Sequence, residues 1–181
     1  MKESKREVLV LDFVRRLKAA ECWCGETHIQ KATYFLQEFM RVPLGFNYIF
    51  YKHGPFSFDL NDQLTALRGN GLVELRSHEP YGPHLHASAT ADEYLKLFPK
   101  TIGLYHSHMD FVVRKLAAKN INELERLATA LYVRLEEPDK DDAARAKRIH
   151  QLKPHVGVSD ALTALREVDA FEQERIAMMS E

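Results

Sequence analysis

The chain has 181 residues, which suits one compact domain or a small domain with a helical extension. Its 25 basic and 26 acidic residues almost cancel, which argues against a dedicated non-specific nucleic-acid binder, while 45% hydrophobic residues supply an ordinary globular core. Two cysteines make no secreted disulfide framework, MKESKREVLVLDF lacks a signal peptide's apolar stretch, and no run approaches the ~18 apolar residues of a membrane span, so the expectation is a soluble cytoplasmic protein.

Residues 5–20 place Val10, Phe13, Val14 and Leu17 at helical spacing and turn Arg15, Arg16 and Lys18 away. CWCGE breaks that pattern. Thr27 and Gln30 have the spacing of a capping box, which opens a second helix to about Met40 with Ile29, Ala32, Phe35, Leu36 and Phe39 on one side. Pro43 and Gly45 end it. Residues 46–51, FNYIFY, alternate in β-favouring aromatics and predict a short strand. Gly54 and Pro55 predict a turn, after which Ser57 or Asp59 caps a third helix carrying Leu60, Leu64 and Leu67. Gly69, Asn70 and Gly71 stop it. LVELRS and HLHASA, joined by HEPYGP, predict a β-hairpin in which Val73 and Leu75 alternate with Glu74 and Arg76.

Helix, helix, helix, hairpin is the order of a winged helix, so residues 1–98 are read as a winged-helix-like core. Residues 99–181 are read as a helical extension packed on or beside it, giving a mainly α fold. Thr90 and Glu93 predict a capping box for a helix to about Phe98, and Pro99 starts a helix to about Ala118. Asn120 and Glu123 predict another box, before Leu124, Leu127, Ala128, Leu131 and Leu135. A helix within 139–152 ends before Pro154, and Ser159 caps a last one along Leu162, Leu165, Val168 and Phe171.

THIQKATYFLQ, FNYIFYKHGPFSFDLNDQLTAL, GLVEL, LERLATALYV and LKPHVGVSDAL follow one another in an order that resembles the YwgA-like family of prokaryotic proteins over about residues 27–165. More distantly, QK-x-x-Y-F followed by a Y-x-x-G-P turn is similar to the Panacea (SocA-like) antitoxin domain, over about 27–76. The nearer resemblance implies a winged-helix-like core with appended helices and brings no catalytic residues. The distant one implies neutralisation of a protein partner in a toxin–antitoxin setting.

No phosphate loop, dinucleotide fingerprint, nucleophile elbow or H-E-x-x-H motif occurs, so no catalytic, cofactor or metal residue is assigned and the chain is read as non-enzymatic. Cys22, Cys24 and His28 form C-x-C-x3-H without a second ligand pair, and read as loop thiols. His84 and His86 share a strand face, with His78 as the nearest third ligand, and read as solvated histidines. His106 and His108 diverge by roughly 200° on a helix. The acidic run at 136–142 lacks the spaced ligands of a calcium loop and reads as an interhelical turn. The only basic island, Lys100, Arg114, Lys115 and Lys119, reads as a solvated helix face.

In the aromatic strand, Tyr48, Phe50 and Lys52 share one face and Ile49, Tyr51 and His53 the other. Both carry apolar bulk. The expectation is burial on both sides by the helical extension, the alternative being that one face is a partner site. Outward positions of the third helix are Asp59, Asn61, Asp62, Gln63, Thr65 and Arg68. Two carboxylates at its start suit the positive end of the helix dipole and oppose phosphate. The favoured reading is a regulatory or interaction protein that binds a protein partner or itself through Tyr51, His53, Asp59 and Asp62. The alternative is a DNA-binding transcription regulator using Asn61, Gln63, Arg68 and Arg76.

Overall fold

Helix α1 (Glu3–Ala19) is the axis of the fold. It is buried on more than the expected stripe, since Val8 through Val14 and Leu17 are all covered by neighbours on several sides. The computed structural model describes residues 1–78 and 82–180.

A turn with Glu21 and Cys24 in the left-handed region (φ 59° and 56°) leads into α2 (Glu26–Tyr34), which continues as a π-helical turn, Phe35–Phe39. Gly25 precedes α2, so Thr27 is already helical and its expected capping box does not form. Strands β1 (Ile49–Tyr51) and β2 (Gly54–Phe56) form an antiparallel hairpin, with Ile49 opposite Phe56 and Tyr51 opposite Gly54. The expected turn residues Gly54 and Pro55 are therefore strand residues, and the chain reverses at Lys52 and His53. The strand starts later than Phe46 because the Gln37 amide holds both the N–H and the C=O of Phe46, at 2.8 and 2.9 Å.

Helix α3 (Phe58–Gly69) is capped by Ser57, whose Oγ accepts the Leu60 N–H at 3.2 Å. Leu60, Leu64 and Leu67 are buried, as their spacing predicts. The second hairpin pairs β3 (Val73–His78) with β4 (Gly82–Ala87) in antiparallel register; residues 79–81 of its loop lie outside the described residues. Val73 and Leu85 are buried, whereas Leu75, opposite Leu85, is 45% exposed.

The remaining helices are α4 (Ala89–Leu95), α5 (Pro99–Leu104), α6 (His106–Leu116), α7 (Ile121–Glu136), α8 (Asp142–Leu152) and α9 (Val158–Met179). The single helix expected after Pro99 is two, broken at Tyr105. Thr90 and Glu93 make no capping box, since the Thr90 hydroxyl donates to Gly71 O and Glu93 accepts from Lys96. The box at Asn120 and Glu123 forms with both bonds, at 3.0 and 2.8 Å. Asp141 caps α8, and Gly157 rather than Ser159 precedes α9.

Helix α1 packs on α3, α4, α5, α6 and β4; α2 packs on α6 and α7; α7, α8 and α9 pack on one another. One buried cluster thus runs through both sides of position 98, from Phe13 and Phe35 to Phe111, Leu131 and Val168. Asp12 is fully buried within α1 and accepts from Arg15 and Arg16, and Arg16 reaches on to Asp110 of α6. The charge is paired, as a buried carboxylate must be. The fold is mainly helical with two small β-hairpins. Among the described residues, no helix is long and apolar enough to cross a membrane.

Candidate functional site

The β1–β2 hairpin has two unlike sides. Its inner side is fixed by a buried polar cluster drawn from α2, α7 and the segment after α8. Gln30 pairs with the backbone of Ser57, donating to its C=O at 2.9 Å and accepting its N–H at 3.0 Å. This is why Gln30 does not turn back to cap α2. Lys31, 1% exposed, donates to Pro55 O at 2.9 Å. Burial pulls its ammonium down to about 8, with Glu125 opposing and Lys153 adding to the effect. Lys153, 2% exposed, donates to Glu125 Oε2 at 2.6 Å, and His53 Nδ1 lies 2.8 Å from Glu125 Oε1.

Gly54 fits against this cluster because it has no side chain. Its φ is +88°, and a Cβ there would lie 3.1 Å from Thr129 Oγ1. Thr129 in turn donates to Glu125 O at 2.6 Å, on the helix that presents the carboxylate. Sequence, turn geometry and charge placement are therefore coupled: a glycine lets β2 approach α7, and the two lysines and one glutamate hold it there.

The outer side is the reverse in character. Ile49 is 48% exposed, Tyr51 44% and Phe58 54%, with Phe56 half-buried between them. The rings of Tyr51, Phe56 and Phe58 lie 5.0–5.9 Å apart, in tilted and edge-on contacts. Burial on both faces, as the sequence suggested, is thus not what forms. The Phe50 face meets Tyr132 of α7 at 5.1 Å, but β1 and β2 make only a two-stranded hairpin and nothing covers the Ile49 and Tyr51 face within the described residues. An aromatic cluster of this kind in water loses the apolar burial that a contact surface would give it.

Asp59 and Asp62 border the cluster at the exposed start of α3. Asp59 Oδ2 accepts from the Asn47 backbone N–H (3.1 Å) and side-chain amide (2.8 Å), and these bonds hold its carboxyl below the usual range. Of the residues named for reading DNA, Gln63 is 7% exposed and packs inward, so its amide does not face a groove. Asn61 is half-buried, Arg68 is exposed, and Arg76 on β3 is bound to Glu74 at 2.9 Å. α3 thus does not present Asn61, Gln63 and Arg68 together on one open face.

Among the described residues, no group of three or more His, Cys, Asp or Glu is arranged to hold a metal ion. His84 is buried rather than solvated, 7% exposed, with its ring 4.7 Å from both His86 and Trp23. The His78 side chain lies outside the described residues. His106 opens α6 and faces Asp110 at 2.9 Å, apart from His108. Sequence reasoning missed Lys31, Glu125 and Lys153 as a unit. The order of Gln30-Lys31, Gly54-Pro55 and Lys153-Pro154 was visible, but nothing in it showed that these pairs meet, nor that Glu125 joins them. Comparisons with protein-family models and with curated proteins give no match.

Proposed function

We propose that this chain is a non-enzymatic interaction protein with a winged-helix-like core, which binds a protein partner or a second copy of itself through the outer face of the β1–β2 hairpin. The observation that carries the reading is the exposed cluster of Ile49, Tyr51 and Phe58. Aromatic side chains bring large contact area at small entropic cost and dominate protein interfaces. Asp59 and Asp62 give that face an acidic rim, suited to a basic edge on the partner. The buried cluster beneath supports the role by holding the hairpin rigid before contact. The order of α1, α2, α3 and the β3–β4 hairpin supports the winged-helix description. The resemblance to the antitoxin domain supports a prokaryotic defence or toxin–antitoxin context for that partner.

The test is substitution on the exposed face. Tyr51→Asp and Phe58→Asp should leave the thermal midpoint within about 2 °C of the parent, since neither ring is in the core, and should weaken self-association or partner binding at least about tenfold. Retained association in both variants contradicts the assignment. A parallel titration with duplex DNA examines the transcription-regulator alternative. Tight binding that falls steeply with salt and is lost in Arg68→Ala would replace the protein-partner reading.

A further inference from the structure

The turn between α1 and α2 brings two thiols and an imidazole together. Cys22 and Cys24 are both fully buried, separated by a half-buried Trp23. Cys24 lies in the left-handed region, which curls the turn so that its own N–H donates to Cys22 Sγ at 3.1 Å. The Cys24 thiol and, in the first turn of α2, the His28 imidazole both favour the charged form of Cys22 electrostatically. His28 is 2% exposed, and its buried Nε2 has no hydrogen-bond partner. A sulfur that accepts a backbone N–H beside an imidazole is stabilised as a thiolate. The Cys24 thiol accordingly drives Cys22 below the ordinary thiol range against the effect of burial, helped by His28; the same pairing and burial drive Cys24 above it. The other charged or titratable groups about the turn include Glu21 within it, Glu26 at the start of α2, Lys18 on α1, whose Nζ reaches Cys22 O, and His84 and His86 on β4.

We propose that Cys22 and Cys24 form a redox-active dithiol that reacts with low-molecular-weight disulfides, Cys22 as the attacking thiolate and Cys24 as the resolving thiol. Cys22 Sγ bonds to one sulfur of the small disulfide, whose S–S bond breaks and releases one thiolate. Cys24 then loses its proton to solvent as the turn opens and attacks Cys22 Sγ, and the second small thiolate leaves. Two protein thiols are oxidised to one intrachain disulfide, and one small disulfide is reduced to two thiols, which take up the two protons. Both protein sulfurs are covered, so reaction follows opening of the turn, whose backbone is held by Cys22 N–H to Leu17 O at 3.1 Å and Leu85 N–H to Cys24 O at 3.0 Å. The second bond ties the turn to β4, so oxidation also alters how the β3–β4 hairpin is seated on α1.

The full-length chain treated with oxidised glutathione, then alkylated and weighed, tests this. The expected product is a single chain two hydrogens lighter, with altered fluorescence of Trp23, the only tryptophan, and both changes reverse with dithiothreitol. The initial rate at which oxidised glutathione is consumed, which reads the attack by Cys22, should rise less than about threefold from pH 7 to 8, where a thiol of ordinary pKa gains about eightfold in thiolate. Cys24→Ser should stop with one glutathione on Cys22, and Cys22→Ser should react at least about tenfold more slowly. No oxidation of the folded chain, a disulfide between two chains, or the ordinary pH dependence overturns the proposal. If circular dichroism shows either serine variant unfolded, the product mass and pH–rate profile of the unaltered chain decide it.

Discussion

Replacing Glu125 with Gln tests whether charge holds the β1–β2 hairpin on α7. The carboxylate is 8% exposed and faces Lys153 Nζ at 2.6 Å, with Lys31 also in its field. E125Q keeps the volume but leaves Lys153 and Lys31 buried with no anion between them. Breaking a buried pair from one side costs about 3–5 kcal/mol, mostly the penalty of the stranded charge. K153M removes a cation that is itself in surplus, and should cost less, about 1–3 kcal/mol. Combined, the two changes should couple by at least about 1.5 kcal/mol in a double-mutant cycle. Urea unfolding followed by circular dichroism at pH 7 gives all four stabilities. The E125Q deficit should also shrink at pH 9, as Lys31 sheds its proton. An E125Q cost below about 1 kcal/mol, or a coupling near zero, would refute the idea that this cluster anchors the hairpin.

Lys31 makes a separate prediction in the unaltered chain. Its ammonium titrates at about 8 when folded, against 10.5 as the reference value. Between those values the unfolded chain binds more protons, so stability should rise with pH, by about 3 kcal/mol in total and mostly before pH 10. Tyr34 and Tyr48, pushed above their usual range by burial, act in the opposite sense above about pH 10, and the shifted thiols Cys22 and Cys24 also contribute between pH 8 and 10, so the lysine's share is the difference between the unaltered chain and K31M. Urea midpoints across that window check it, and K31M should flatten the rise. Gly54→Ala should destabilise by about 1–3 kcal/mol in the same assay, from the positive φ and the close approach to Thr129. Asn120→Ala removes half of a complete capping box and should cost about 1 kcal/mol, seen as a lower thermal midpoint.

Local signals in the sequence were strong where one segment decides its own structure. The leucine stripe of α3, its Ser57 cap, the Asn120 box and the β3–β4 pairing all follow from short-range pattern. The misreadings arose where a distant partner competed. Gln30 fits a capping box by spacing, but the Ser57 backbone, 27 residues away, takes both its hydrogen bonds. Gly54-Pro55 reads as a turn, yet close packing against Thr129 makes it the strand that approaches α7. Alternating aromatics at 48–53 suggested two buried faces, because hydrophobicity alone does not say how far the helical extension reaches. It covers Phe50 and leaves Ile49 and Tyr51 in water. Lys31 and Lys153 were the least legible, since isolated lysines are ordinarily solvated and only the tertiary fold brings both beside Glu125.

The most direct measurement for the interaction role is site-specific photocrosslinking in the native cell. A photoreactive benzoylphenylalanine is placed at Phe58, and in a control at exposed Lys147 on α8. The account predicts a discrete protein adduct, or a dimer of this chain, from position 58 and none from position 147. No adduct at 58, the same products from both positions, or an adduct to DNA would contradict it.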